Sequence, residues 1–234
     1  MEANKKSIIK RTLRHLSPRH IMKTQLTKKT VQKIADKYGL VYFGYVNQRE
    51  DDHKPVRGYT VSKTQIDNHY TMGSIQGYDV TFLQRNDIVR TQTTAEQRCH
   101  WLIVSIDLLS RRGLPHFFVG PKAHSDVLRS SYTALHPISL GNTSTYPYKF
   151  SSNFEVFAKP ADVVDIEWIF PPSAAEVVSG YFSDMSFEVV DNTLHIYNEN
   201  PYPTFEKIEK MLENGIWLAQ YIDAITNADV HKEY

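Results

Sequence analysis

One pair of strand-like segments around a Gln-Gly dipeptide constrains the fold more than any other feature of the chain. Residues 69–75 precede Gln76-Gly77, and residues 78–85 follow it with apolar and polar side chains in alternation. Glycine supplies the positive φ that a tight turn between two strands needs. The pattern predicts a β-hairpin, and therefore an antiparallel pairing at the heart of the sheet.

The segment 101–109 is dense in apolar and β-branched residues, which is typical of a central strand packed on both faces. Arg111-Arg112-Gly113 is predicted to turn the chain after it. Further strands are predicted at 40–46, 59–63, 115–119 and 154–158, and a second hairpin at 187–190 and 194–197 around Asp191-Asn192.

Helical spacing of apolar residues predicts helices at 27–38, 174–182 and 204–225. The last helix is expected to lie across a sheet face, and Gly215 within it indicates close packing, because glycine costs a helix about 1 kcal/mol relative to alanine. Strands in the middle of the chain and helices near its ends favour an α+β class. We expect an antiparallel β-sheet with helices packed mainly on one face.

Charge divides the chain into two parts. The whole sequence has 27 basic and 26 acidic residues, a net charge of +1. Residues 1–37 carry eleven basic and two acidic side chains, a net charge of +9, which leaves −8 for the remainder. We expect a basic arm at 1–25 followed by an α+β domain at 26–234. A boundary between two parts of this domain within 120–150 stays an open possibility, because that stretch is rich in Gly, Pro, Ser and Thr.

Residues 5–16 of the arm are compatible with an amphipathic helix. Three roles are open to the arm: it can contact nucleic-acid phosphates, lie on an anionic membrane surface, or fold back on the acidic body. The candidate binding residues of the arm are Lys6, Lys10, Arg11, Arg14 and Arg19.

No familiar phosphate-binding, dinucleotide-binding, zinc-protease or hydrolase motif occurs. His69, His100 and His116 fall near the ends of predicted strands, and Asp79 or Asp107 can join them if those strands are neighbours. Such a cluster would suit a transition metal or acid–base catalysis. The alternative is a set of scattered, hydrogen-bonded histidines, and the sequence identifies no cofactor.

Three other residue sets are candidates for pairing or chemistry. A charged residue in an apolar strand needs a partner, so Asp107 is predicted to pair with Arg85 across strands, with Trp101 beside them. The functional alternative is a polar floor in an aromatic cleft. Asp165 and Glu167 are spaced to share one face of a strand. Cys99 stands alone in the chain, which excludes an intrachain disulfide.

The chain resembles uncharacterised bacterial domains of unknown function from about residue 67 onward. The segments that carry the resemblance are 77–85, 101–108 and Leu114-Pro115-His116-Phe117. The resemblance implies no activity and no catalytic residues.

The sequence contains no run of about 18 apolar residues that could cross a bilayer, and no apolar signal core follows the basic start. We therefore expect a cytoplasmic protein. The leading hypothesis is a non-enzymatic binding or interaction module, with residues 1–37 contacting a protein partner or an anionic surface. The first alternative is an enzyme, with or without the help of a metal, that uses the strand-end histidines. The second alternative is nucleic-acid binding through the arm.

Overall fold

The computed structural model describes residues 18–46, 66–89, 97–124, 135–141, 144–200 and 202–228. The strands in this part of the chain form one sheet in the order β1-β2-β3-β4-β9-β8-β5-β7-β6, and every pairing is antiparallel. The strands are β1 (Val41–Gly44), β2 (Ile66–Ile75), β3 (Tyr78–Val89), β4 (Gln97–Asp107), β5 (Phe117–Pro121), β6 (His136–Ile138), β7 (Phe154–Ala158), β8 (Ser186–Val190) and β9 (Thr193–Glu199).

The helices are α1 (Pro18–Tyr38), α2 (Tyr148–Asn153), α3 (Val163–Ile169), α4 (Pro172–Tyr181) and α5 (Phe205–Ala228), with short 3₁₀ turns at 122–124 and 160–162. They lie on one face of the sheet, the helix face, and share its apolar core with alternate residues of the strands. The structure thus confirms the predicted α+β class. Among the described residues, no helix combines the length and the apolar character needed to cross a membrane.

Helix α5 crosses the central strands of the helix face at Gly215. A Cβ atom built on Gly215 would lie 2.8 Å from Ile106 Cδ1 and 3.2 Å from Ile196 Cγ1. The helix therefore approaches β4 and β9 so closely that a side chain at position 215 would require Ile106 and Ile196 to shift. This contact confirms both the predicted position of the C-terminal helix and the close packing expected at its glycine.

Local turn chemistry explains the two predicted hairpins. Gln76 and Gly77 have φ values of +52° and +86° between β2 and β3, and Asp191 and Asn192 have +50° and +57° between β8 and β9. Consecutive positive φ values match the right-handed twist of the flanking strands. Both hairpins are present as predicted.

Other predictions need correction. Helix α1 begins at Pro18, nine residues before the predicted start, while the predicted helix at 5–16 lies outside the described residues. The strand predicted at 115–119 is present as β5, shifted to Phe117–Pro121, and pairs with β7 and β8. Residues 163–169 are helical, so the predicted strand face shared by Asp165 and Glu167 does not exist.

Candidate binding site

The structure does not bring the three strand-end histidines together. His69 lies on β2, His100 on β4 and His116 just before β5, and β9 and β8 separate β4 from β5. With strands about 4.8 Å apart and residues about 3.3 Å apart along a strand, His100 and His116 are separated by about 14 Å across the sheet and about 23 Å along it, because His116 is level with Asp107. Within the described part of the chain, no group of three or more His, Cys, Asp or Glu side chains is arranged to hold a metal ion.

Each of the first two histidines has a local partner. His69 occupies a β-bulge with a φ of +57°, and its Nδ1 lies 2.9 Å from the Tyr42 hydroxyl. Burial, and then the positive charge of Lys28, lower the pKa of His69. His100 Nδ1 lies 2.6 Å from Asn86 Oδ1 on the neighbouring strand. These contacts support the alternative of scattered, hydrogen-bonded histidines for this pair.

Arg85 is paired, but not with the predicted carboxylate. Its Nε and Nη2 donate to the two carboxylate oxygens of Asp67 at 2.7 and 2.8 Å, and both side chains are buried. Arg85 lies opposite Trp101, six residues along β4 from Asp107, or about 20 Å at strand spacing. The predicted Arg85–Asp107 pair is therefore wrong, and Asp107 instead accepts a hydrogen bond from Thr193 Oγ1 at 3.2 Å.

Trp101 belongs to a second apolar cluster, on the sheet face opposite the helices, which we call the second face. The other members of this cluster are Leu83, Ile103, Phe118, Leu135, Phe157 and Tyr197. Trp101 is buried there next to Arg85. Arg85 and Trp101 thus belong to a packed layer without Asp107, and the alternative of a polar floor in an aromatic cleft does not describe this part of the sheet.

Glu188 is the centre of a polar network on the second face. Its carboxylate is buried and lies 2.6 Å from His116 Nε2 through one oxygen, while the other oxygen accepts a 2.6 Å hydrogen bond from the Tyr197 hydroxyl. A buried carboxylate needs partners for its oxygens. The half-buried His116 ring and the Tyr197 hydroxyl occupy the two oxygens of Glu188, so Glu188 fixes the position of this histidine.

His195 lies between Glu188 and Ser105 in the cross-strand register. Its Nδ1 lies 2.9 Å from Ser105 Oγ. Burial is the largest influence and lowers the pKa of His195, although the neighbouring Glu188 and Asp107 carboxylates oppose that shift. The buried histidine is therefore in its neutral form at neutral pH.

The remaining sequence candidates are dispersed. Arm residues Lys6, Lys10, Arg11 and Arg14 lie outside the described residues, and Arg19 is placed in α1 by its backbone only. Asp79 is exposed on β3.

The two acidic residues of α3 have different surroundings. Asp165 is exposed, whereas Glu167 is buried and accepts a 2.7 Å hydrogen bond from the backbone N–H of Gly141. Glu167 therefore holds the segment after β6 in place.

An aromatic cleft lies at the β6 end of the sheet and has a volume of about 280 Å³. Tyr146, Phe150 and Phe154 form its floor and are all buried. The Phe150 and Phe154 rings are stacked with centroids 5.4 Å apart, and the Tyr146 ring lies 6.0 Å from that of Phe150. Aromatic walls of this kind are typical of small-molecule sites.

Hydrogen bonds fix the position of this floor. The Tyr146 hydroxyl donates to the backbone carbonyl of Phe170 at 2.6 Å. Burial, followed by the Glu167 charge, raises the pKa of Tyr146 far above its usual value, so the hydroxyl remains a donor. The tyrosine ring is thereby held against α2 without a ligand.

The rim of the cleft combines apolar and polar groups. Ile138 and Leu140 are half-buried on one side. On the other side the exposed Lys122 donates from Nζ to the backbone carbonyl of Ser151 at 2.7 Å, which leaves two of its ammonium protons for other acceptors. The lining also includes Ser139, Ser151 and Glu155, so the cleft combines an aromatic floor with polar groups and with one cationic and one anionic side chain.

Sequence reasoning misses this cleft because the Gly, Pro, Ser and Thr content of residues 120–150 indicates a boundary between parts of the chain rather than a site. A signal was present: Tyr146, Phe150 and Phe154 recur at intervals of four residues, although only Phe150 lies within α2, because Tyr146 precedes the helix and Phe154 begins β7. What the spacing does not reveal is that β6 and β7 form the opposite wall.

Comparison with known proteins finds a solved structure with a similar fold. The fold resembles the crystal structure of the mycobacterial trehalose monomycolate transport factor A, with a TM-score of 0.56 over 85% of this chain and 93% of that one. Sequence identity between the two is 9%, so the likeness concerns the fold alone. No protein-family model matches the chain, and no curated protein matches it significantly.

Proposed function

We propose that this chain is a non-enzymatic binding module whose aromatic cleft takes a small anionic amphiphile. The observation that carries the proposal is a preformed apolar floor of buried aromatic rings beside the exposed ammonium group of Lys122. Burial of an alkyl chain contributes about 0.8 kcal/mol per CH₂ group. Lys122 favours a carboxylate or similar anion on its side of the cleft, whereas Glu155, which also lines the cleft, disfavours one at its own position.

The charged groups elsewhere support binding rather than catalysis. Arg85 and Asp67 neutralise each other, and Glu188 is engaged by His116 and Tyr197. These groups are buried and mutually satisfied, as in a structural network. The ligand class follows from the cleft's own residues and not from the mycobacterial neighbour.

Calorimetric titration of the full chain with octanoate tests the proposal. Octanoate should bind, and octylammonium of the same length should bind more weakly because Lys122 repels it. Lys122→Gln should weaken octanoate binding about fivefold, the effect of losing one partly exposed ion pair. Ile138→Asp should weaken it further, because a carboxylate in the rim repels the anion.

Lys149→Gln is the matched control, because Lys149 is an exposed lysine on α2 that does not line the cleft. It should leave the affinity unchanged. Equal weakening by Lys122→Gln and Lys149→Gln, or no octanoate binding at millimolar concentration, contradicts the proposed site. Chemical conversion of the bound octanoate, followed by NMR, contradicts the non-enzymatic assignment.

The basic arm remains a separate proposal. Its net charge favours an anionic partner. This partner would bind in addition to the ligand of the cleft. Binding through the arm alone would survive both cleft substitutions.

A further inference from the structure

A second pocket, which shares no residue with the aromatic cleft, lies on α5 and has a volume of about 150 Å³. Its floor is aliphatic, because Ile75, Leu212 and Ile216 are buried there. Two half-buried aromatic side chains also line it, Tyr38 from the end of α1 and Trp217 from α5. We call it the α5 pocket. Since a water molecule takes about 30 Å³ in the liquid, the pocket has room for a group of about five heavy atoms.

The Trp217 indole is held in place by its own neighbours. Its ring packs against that of Tyr221, one turn further along α5, with centroids 5.5 Å apart. The Tyr221 hydroxyl lies 2.8 Å from Ser173 Oγ at the start of α4. A ring fixed in this way loses little conformational freedom when it contacts a ligand.

The rim of the α5 pocket is polar and carries a negative charge. Glu213 and Trp217 are four residues apart on α5, so the exposed carboxylate and the indole are neighbours on one face of the helix. Gln220 Nε2 donates to Gln76 Oε1 at 2.9 Å, which adds an uncharged pair of amides to the rim. Among the residues that the structure describes, no cationic side chain lines the pocket.

The charges around Tyr38 leave the same balance. Lys37 pairs with Glu209, and its ammonium group lies 5.4 Å from the centre of the Tyr38 ring. Burial and then the charge of Glu209 raise the pKa of Tyr38, and the charge of Glu213 acts in the same direction. Lys210, one turn before Glu213 on α5, does not line the pocket. Since Lys37 and Glu209 neutralise each other, Glu213 gives the pocket a negative potential.

We propose that the α5 pocket binds a small organic cation of the quaternary ammonium type. The faces of tryptophan and tyrosine rings attract a cation within about 6 Å of their centres, and tryptophan attracts it most strongly. A quaternary ammonium group has no N–H donor, so an aliphatic floor leaves none of its hydrogen bonds unmade. Its methyl groups suit a space for about five heavy atoms, and Glu213 attracts its charge. This site does not depend on the ligand of the aromatic cleft.

Titration of the full chain with choline chloride, followed by calorimetry and by tryptophan fluorescence, tests the site. Sodium chloride at equal ionic strength is the blank, because salt alone screens surface charges. The uncharged comparison is the carbon analogue of choline, in which a tert-butyl group replaces the trimethylammonium group. Choline should bind, and the analogue should bind at least about fivefold more weakly, because an uncharged group gains no cation–π attraction.

Substitutions in the pocket separate the contribution of the ring from that of the charge. Trp217→Leu should weaken choline binding about tenfold, because it removes the ring that attracts a cation most strongly, and Trp217→Phe should have a smaller effect. Glu213→Gln should weaken it about threefold, the effect of losing one exposed charge. The same Glu213→Gln variant should bind the uncharged analogue like the parent chain.

Trp168→Leu and Glu176→Gln are the matched controls, since Trp168 on α3 and Glu176 on α4 are exposed and lie outside the pocket. Both variants should bind choline like the parent chain, and so should Lys122→Gln, which alters the aromatic cleft. Circular dichroism on heating verifies that each variant is folded. Because Glu213 is exposed, Glu213→Gln tests the site even if Trp217→Leu does not fold.

Three results would overturn the cation site. The first is the absence of choline binding up to tens of millimolar. The second is equal binding of choline and its uncharged analogue, because the pocket would then take any apolar group of that size. The third is choline binding that Trp217→Leu and Glu213→Gln leave intact, because it would place the contact elsewhere.

Discussion

The two faces of the sheet are buried by different means. On the helix face the core is made of apolar side chains from strands and helices, such as Phe187, Ile196 and Leu218. The second face also buries an apolar cluster, but ion pairs and hydrogen bonds interrupt it at Arg85–Asp67 and around Glu188. Stability on the helix face therefore depends on how well apolar side chains fill the core. On the second face it depends also on every buried charged or polar group having its partner.

Arg85→Met should produce the largest loss of stability on the second face. The substitution leaves the Asp67 carboxylate buried without its two guanidinium hydrogen bonds. Breaking one partner of a buried pair costs about 3–5 kcal/mol. Urea unfolding at pH 7.5 measures the loss as a shift of the midpoint at an unchanged slope.

The double variant Arg85→Met/Asp67→Leu distinguishes a pair effect from a volume effect. Replacing both charges by apolar groups is often neutral or stabilising, so the double variant should recover most of the loss. Lys37→Met serves as the exposed control, because the Lys37–Glu209 pair lies at the surface and should contribute little to stability. If the losses of unfolding free energy from the two single substitutions add up in the double variant, the two charges do not stabilise the fold as a pair.

Glu188→Gln should have an intermediate effect. The glutamine keeps one acceptor for the Tyr197 hydroxyl, but it places an N–H group where a carboxylate oxygen faces His116 Nε2 and it removes the carboxylate charge. Hydrogen bonds to a charged group contribute about 1.5–3 kcal/mol, and we expect a loss of unfolding free energy in that range. Glu176→Gln, at an exposed position of α4, should change it by less than about 0.5 kcal/mol.

The same contrast explains what could be predicted from the sequence. The hairpin at Gln76-Gly77 and the helix around Gly215 depend on local turn chemistry and on apolar periodicity, and both were predicted. The partner of Arg85 depends on the register between β2 and β3, which a bulge after Asn68 shifts by one residue. No local pattern contains that information, so the carboxylate chosen from the sequence was the wrong one.

The cleft was beyond prediction for a related reason. Its aromatic floor is visible as a spacing in the sequence, but its other wall exists only because the three-residue strand β6 pairs with β7. The arrangement of the histidines likewise follows from strand order. The chain places β9 and β8 between β4 and β5, which no propensity of the individual strands specifies.

The smallest of the expected effects is a pH dependence carried by His195. Burial lowers the pKa of His195 below its unfolded value of about 6.5. Below pH 6.5 the unfolded chain therefore binds a proton that the folded chain excludes, and stability falls as the pH drops from 6.5 toward the folded pKa. His69, whose pKa is also lowered, adds to the same trend.

His195→Gln should reduce this pH dependence, because it removes one of the protons taken up on unfolding while an amide can still bond to Ser105 Oγ. The slope of unfolding free energy against pH between 5.5 and 6.5 should become shallower by up to about 1.4 kcal/mol per pH unit. His136→Gln, at an exposed position of β6, should leave the slope unchanged. An equal slope in the parent chain and in His195→Gln would mean that the folded chain can protonate His195 as readily as the unfolded chain does. The carboxylates of the second face would then stabilise a buried imidazolium, although Glu188 already contacts His116 and Tyr197.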